Sequence, residues 1–240
     1  MSPNIDSLNS EPAYSVVRQT WLSRPPAKRA GILIGWLILL LILSSVVYWT
    51  NFKEWQSLMP ASGQAVFEKK EYWRLWTALF AHGDVKHLLS NCLTFFVVGY
   101  FLIGYFSLWF FPFAGFFFGG VVNYLTLKTY PPAVSLIGVS GVVYWMGGAW
   151  LVLYFLLDLR KTKTQRAVRA LGVAIGIFMP ASAFDPSISY IAHLLGFVFG
   201  VLCGGIYYWM NREMFRKALK VERVVEQAPP PILISAESKE

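Results

Sequence analysis

The sequence predicts an all-α protein that crosses a membrane six times, and three observations support this fold class. Apolar residues make up 56% of the chain and charged residues only 14%, against about a quarter in soluble domains. The apolar residues are collected in uncharged stretches of about 20 residues, the length that crosses the hydrocarbon core of a bilayer. Lys and Arg are concentrated in alternate connections. A chain of 240 residues has room for this bundle but for no second folded domain.

The first half of the chain predicts three spans and one long loop. Ala30–Trp49 is uncharged and too long for the apolar part of a signal peptide, so we expect a retained first span. Residues 51–84 mix charged and aromatic side chains, which indicates a loop embedded in the membrane interface. From His87 to Leu127 no charge interrupts the sequence, and one helix of that length would be about twice the bilayer thickness. We predict two helices there, broken between Ser107 and Pro112, since proline suits a helix start.

The second half predicts three more helices. After a short loop at Lys128–Pro132, helix four covers Ile137–Leu157 and ends at a cluster of basic residues. Helix five is predicted over Ala170–Phe184, short and interrupted by Pro180, and helix six over Ile188–Met210. Both cysteines, Cys92 and Cys203, fall inside predicted spans, where we expect them to act as weakly polar packing residues.

The basic residues predict the orientation in the membrane. Lys and Arg are frequent before helix one, after helix four and after helix six, whereas the turn at residues 184–187 has none. The positive-inside rule therefore places both termini in the cytoplasm. We expect a cytoplasmic segment 1–29, a membrane domain 30–211 and a cytoplasmic tail 212–240, disordered after Gln227. The net charge of +8 then indicates contact with anionic lipid head groups, not with nucleic acid.

This orientation brings polar side chains of three helices to one depth. His193 lies about 8 Å inside the outer end of helix six, and Ser140 begins helix four from the same side. His87 and Asn91 are one turn apart on helix two, so they share one helix face. Glycines that permit close helix packing flank these positions. They are Gly138, Gly141, Gly196, Gly200 and Gly204.

A serine and a histidine at the same depth suggest a hydrolase. A serine hydroxyl becomes a nucleophile when a neutral histidine accepts its proton, and close packing of helices four and six would bring Ser140 to His193. No acidic residue lies at this depth, so we predict a dyad in which Tyr144 packs against the imidazole. His87, the Asn91 amide and the Ser140 backbone N–H are the candidate oxyanion donors.

Other interpretations of the same residues remain open at this point. Serine is often a small packing residue in membrane helices, and a buried histidine can simply bond a backbone carbonyl. His82, His87, Asn91 and His193 could be metal ligands, but no H-E-x-x-H string or nearby carboxylate supports this, and we expect neither a metal nor a cofactor. A transporter with a His87–His193 proton relay is a further alternative. The α/β-hydrolase elbow is excluded because Val142 stands where that motif needs glycine.

Over about residues 71–205 the sequence resembles the rhomboid family of intramembrane serine proteases. The likeness is carried by motifs whose order and spacing agree with the family. These are Glu71-x-Trp73-Arg74, His82, His87-x-x-x-Asn91, Gly138-x-Ser140-Gly141 with Tyr144, and Ala192-His193-x-x-Gly196-x-x-x-Gly200.

The resemblance implies a six-helix bundle with a Ser140–His193 dyad and transmembrane proteins as substrates. It implies an oxyanion hole of His87, Asn91 and the Ser140 amide, and a Tyr144 ring stacked on His193. By the same likeness Trp73 and Arg74 brace the first loop, and His82 supports the outer end of helix two.

The resemblance also suggests which segments form the substrate entrance, in which membrane the protein lies, and an alternative to the protease function. Helix five and the loop before His193 are similar to the family's lateral gate and cap. The chain departs from the family at Leu102–Ser107, where charges are frequent in relatives and none occurs here. We expect no seventh helix, so the chain is similar to the basic bacterial type of the family. This likeness implies a location in the bacterial cytoplasmic membrane. The alternative is an inactive relative that binds membrane clients, although such proteins usually lack the serine or the histidine.

Overall fold

A computed structural model describes residues 13–178 and 189–225. It is mainly helical, and six longer helices form its frame. They are α1 (Ala30–Trp49), α2 (Val85–Tyr105), α3 (Trp109–Leu127, π-helical over Trp109–Ala114 and α-helical over Gly115–Leu127), α4 (Ser140–Leu157), α5 (Lys163–Phe178) and α6 (Tyr190–Met210).

Shorter elements lie in the connections. The short helices are Trp21–Ser23, Phe52–Glu54, Trp55–Leu58, Gln64–Glu68, Arg74–Thr77, Ala78–Phe80 and Arg212–Lys217. The strands are β1 (Ala13–Gln19), β2 (Ala61–Ser62), β3 (Ser135–Leu136) and β4 (Lys220–Val225), which pair as β1 with β4 and β2 with β3, both antiparallel. The described residues therefore form a helical bundle with two small two-stranded sheets.

Within residues 13–178 and 189–225, five helices are long and apolar enough to cross a membrane, namely α1, α2, α3, α4 and α6. The prediction of six spans places the sixth on α5, of which the structure describes 16 residues, shorter than a full span. The polytopic all-α fold class is thus confirmed, and the sixth crossing stays a prediction.

Helix α4 is the centre of the bundle. Of the 18 most apolar consecutive residues of α4, 56% are buried, against 22% of those of α1 and of α6. Trp145 and Met146 on α4 are completely buried among side chains of the surrounding helices. Since α1 and α6 expose most of their apolar side chains, their outer faces are suited to contact lipid. The residues near the start of α4 are therefore surrounded by neighbouring helices.

Two predicted helix starts were wrong. Helix four begins at Ser140 and not at Ile137, because residues 135–136 form β3 and Gly138 has a φ of +108° that no helix accommodates. Helix five begins at Lys163 and not at Ala170. Basic side chains have good helix propensity, so the helix includes Lys163, Arg166 and Arg169 of the basic cluster that follows helix four.

Several predicted features lie outside the described residues. These are the interruption at Pro180, the end of helix five at Phe184, the turn at 184–187, the start of helix six at Ile188 and the tail after Gln227. The described part of helix six begins at Tyr190, where the Ser189 hydroxyl caps it by accepting from the Ala192 N–H.

The sheet of β1 and β4 was not predicted from the sequence. It pairs Ala13 with Val225 and continues to Gln19 opposite Lys220, with one irregularity. The Trp21 indole that follows β1 donates to the carbonyl of Tyr105 at the end of α2, at 2.8 Å. The segments before α1 and after α6 thus meet at the end of the bundle where α2 finishes.

Candidate active site

Ser140 lies at the start of α4 because the chain before it cannot be helical. Gly138 has a positive φ of +108°, and a Cβ built there would lie 2.9 Å from Cε1 of His87. Only glycine allows both this conformation and this close approach. Ser140 is the first residue of the helix and is half-buried. The N–H groups of a first helical turn have no intrahelical acceptor, so the Ser140 amide is suited to donate to a ligand.

Glycines bring the backbones of α4 and α6 into direct contact. A Cβ on Gly196 would lie 2.3 Å from the Gly141 carbonyl oxygen, and one on Gly200 would lie 2.0 Å from that of Trp145. One turn further along, a Cβ on Gly204 would lie 2.5 Å from Cγ1 of Val152. This approach occurs in the turn of α4 that contains Ser140 and in the turn of α6 that follows His193.

The His193 ring lies flat on the Tyr144 ring. Their centroids are 4.0 Å apart and the planes differ by 13°. Tyr144 is one helical turn after Ser140, so the two side chains share a face of α4. The stack therefore places the imidazole beside the face that carries the serine. Within the described residues the ring contacts of His193 are with Tyr144 and Tyr190, and a hydrogen bond between a serine and its base often tightens only when substrate binds.

His87 and Asn91 contribute a second helix to the same place. Helix α2 starts just before them because the Asp84 carboxylate accepts from the His87 backbone N–H at 2.8 Å. The His87 ring lies beside Gly138, two residues before Ser140. Asn91 is one turn further along and buried. Two side-chain N–H donors therefore lie on the helix face next to the start of α4.

His82 lies behind His87 and is completely buried. The two rings meet edge to face, with centroids 5.2 Å apart and planes at 73°. Burial, and next the nearby His87, lower the pKa of His82 from 6.5 to about 4, so its ring is neutral at physiological pH. No three His, Cys, Asp or Glu side chains of the described residues are grouped as metal ligands.

Arg74 joins separate parts of the first loop to one another. Its guanidinium is buried, donates to the Glu71 carboxylate at 2.6 Å and to the backbone carbonyl of Ser57 at 2.6 Å, and lies over the Trp73 ring at 4.9 Å. A planar guanidinium can satisfy these directions together, which an ammonium cannot. Arg74 thus connects Ser57 with Glu71 in the loop that precedes His82 and His87.

Three residues near this site were missed by the sequence reasoning. Ser45 on α1 contacts His82 through a hydrogen bond, and Trp49 donates to the His82 carbonyl. Asn123 on α3 donates to the carbonyl of Leu75 in the first loop at 2.8 Å. The available signal was polarity inside an apolar span, where an amide or hydroxyl needs a partner. The sequence did not reveal which partner.

The comparisons with known proteins agree with the motifs. A model of the rhomboid domain matches residues 69–210, which is more than half of the chain and contains every motif described above from His82 to Gly200. A comparison with curated proteins gives no match.

Proposed function

Because this chain belongs to the rhomboid family and is an integral membrane protein, we propose that it is an intramembrane serine endopeptidase. In this proposal it hydrolyses peptide bonds in or near the transmembrane segments of membrane proteins. The observation that carries the proposal is the Tyr144–His193 stack at 4.0 Å, on the face of α4 that begins with Ser140. Nothing in a purely structural helix contact requires an ionisable ring at this depth.

The proposed reaction uses the dyad twice. The Ser140 hydroxyl oxygen attacks the substrate carbonyl while His193 accepts the hydroxyl proton. His193 then gives that proton to the leaving amine as the peptide bond breaks, which leaves an acyl-enzyme. His193 then accepts a proton from water as the water oxygen attacks the ester carbonyl, and it gives this proton to the Ser140 oxygen as the acyl bond breaks. The carboxylic acid product leaves and the serine is regenerated.

The negative charge that develops on the substrate oxygen needs fixed donors. We propose the His87 ring, the Asn91 amide and the Ser140 backbone N–H. The close approach of the Gly138 segment to His87 supports this set, since it brings the start of α4 to the face of α2 that carries both side chains. Preorganised donors of this kind are each worth about 10²-fold or more in rate.

The proposed location is a bacterial cytoplasmic membrane with both termini in the cytoplasm and the site opening to the outer face. Pairing of β1 with β4 supports termini on one side, because both strands must lie in the same compartment. The basic residues near these strands support the cytoplasm as that side. We retain 30–211 as the membrane domain, and anionic lipid as the partner of the basic ends.

The proposed substrates are single-span proteins with small or helix-breaking residues near the outer face. A peptide bond in a helix is shielded, so a helix that unwinds easily should be cut faster. Purified protein in liposomes can be given a poly-Leu span and the same span with Gly and Pro near its outer end. Equal cleavage rates would contradict this substrate class.

The second candidate is an inactive family member that binds membrane clients. The observation in its favour is that, within the described residues, the ring contacts of His193 are with Tyr144 and Tyr190 and not with the Ser140 hydroxyl. A fluorophosphonate probe separates the two functions, because it labels only an activated serine. We expect labelling of the wild type and of Ser44→Ala, a half-buried serine on α1, and none of Ser140→Ala or His193→Ala. Absence of labelling in folded wild type would favour the binder.

A further inference from the structure

Helix α1 contacts His82, the residue next to His87 of the proposed active site, through Ser45 and Trp49. This serine is completely buried, and its hydroxyl oxygen lies 2.9 Å from Nδ1 of His82. One turn later the Trp49 indole donates to the backbone carbonyl of His82 at 2.7 Å. Helix α1 therefore holds both the ring and the backbone of the residue behind His87.

The hydrogen bonds around Ser45 determine where the protons lie. Its oxygen is 2.8 Å from the Leu41 carbonyl oxygen and 3.3 Å from that of Phe80. Both carbonyls only accept, and a hydroxyl that donated to Nδ1 instead would point its own lone pairs at the Leu41 carbonyl oxygen 2.8 Å away. The single hydroxyl proton therefore goes to the Leu41 carbonyl. The hydroxyl oxygen is then left to accept, and the His82 Nδ1 must carry a proton to donate to it. This assigns His82 the Nδ1–H tautomer, with its lone pair on Nε2.

The orientation of His82 is transmitted to His87 by direct contact. The two rings meet edge to face with centroids 5.2 Å apart, and on another side the His87 ring is in contact range of Gly138. His87 is thus bounded by His82 and by the segment that leads to Ser140. A fixed His82 ring restricts the orientations that His87 can adopt.

We propose that Ser45 is a positioning residue for the oxyanion hole, which fixes the His82 tautomer and through it the orientation of His87. The inference rests on the proposed function for its effect on rate. The competing explanation is that Ser45 only bonds back to the Leu41 carbonyl, as serines in membrane helices often do. In that case the His82 ring would not depend on the hydroxyl.

The first experiment measures the tautomer and needs no turnover. The chain has three histidines, so protein labelled with ¹⁵N-histidine in detergent gives few ring signals in a long-range ¹H–¹⁵N NMR spectrum. The signal of His82 is the one lost in His82→Gln. We expect the Nδ1–H pattern in wild type and in Ser44→Ala, and a mixture of tautomers in Ser45→Ala. An Nε2–H pattern in wild type would overturn the proposal, even if Ser45→Ala does not fold.

The second experiment measures turnover of a transmembrane substrate in liposomes. We expect Ser45→Ala to lower kcat about tenfold with KM nearly unchanged, because an oxyanion donor acts in the transition state. Ser44→Ala should behave as wild type. A changed tautomer with unchanged kcat would overturn the positioning role. Failure of the proposed function would be recognised separately, as absence of Ser140 labelling in a protein whose His82 signal is as expected.

Discussion

Replacing Gly196 with alanine should separate α6 from α4 at the proposed active site. The added Cβ would lie 2.3 Å from the Gly141 carbonyl oxygen, and 3.4 Å is where ordinary contact begins. Both partners are backbone, so no side chain can rotate away and one helix must move by about 1 Å. A displacement of this size between catalytic groups costs about 10²-fold in rate. We expect kcat/KM of Gly196→Ala to fall by about that factor.

The assay compares cleavage of a transmembrane substrate with thermal unfolding in the same detergent. Gly205→Ala is the matched control, since it lies on the same helix and a Cβ there would meet nothing within 4 Å. It should keep wild-type activity and stability. If Gly196→Ala were folded and cut substrate within twofold of wild type, the close packing of α4 and α6 would not be what aligns Ser140 with His193.

Three further predictions follow from the same geometry. Gly138→Ala should lower kcat at least tenfold in the cleavage assay, because a φ of +108° strains any side chain and the Cβ would lie 2.9 Å from the His87 ring; wild-type turnover would contradict this. Arg74→Lys should lower the free energy of unfolding by about 2 kcal/mol, whereas Arg216→Lys, 72% exposed, should leave it unchanged; equal effects in denaturant titrations would refute the bracing role. Since burial lowers the pKa of His82 from 6.5 to about 4, the unfolded protein binds a proton in this range that the folded protein does not. The free energy of unfolding should therefore fall as pH falls from 6.5 to 4, by at most about 3 kcal/mol; an unfolding series with His82→Gln should lack this component, and identical slopes would show that His82 does not cause it.

The bounds of a helix could be predicted from the sequence where hydrophobicity alone determines them. Helix α1 has the predicted bounds Ala30–Trp49, because an uncharged run of span length has no competing structure in a membrane. The same reasoning was wrong at Lys163, where charge marks the membrane boundary but does not end a helix. It also missed β1 and β4, since pairing between segments so far apart leaves no local signal in either one.

The site was predictable in its residue types but not in its contacts. Spacing placed His87 and Asn91 on one face of α2, and family likeness suggested the Tyr144–His193 stack, whose geometry the structure describes. The hydrogen bond between Ser45 and His82 could not be predicted, because a uniformly apolar helix gives no indication of which face meets its neighbour. Sequence patterns locate polar groups in depth, and packing decides their partners.

The small sheet formed by β1 and β4 has a consequence for biosynthesis. The ribosome makes β1 near the beginning and β4 only after all the membrane helices, so the first strand must wait unpaired while the bundle inserts. Pairing of β1 with β4 is then one of the last steps of maturation. A nascent chain arrested before residue 220 lacks β4, so its β1 has no partner strand. Proteases in the compartment of β1 would meet such a chain with this strand unpaired.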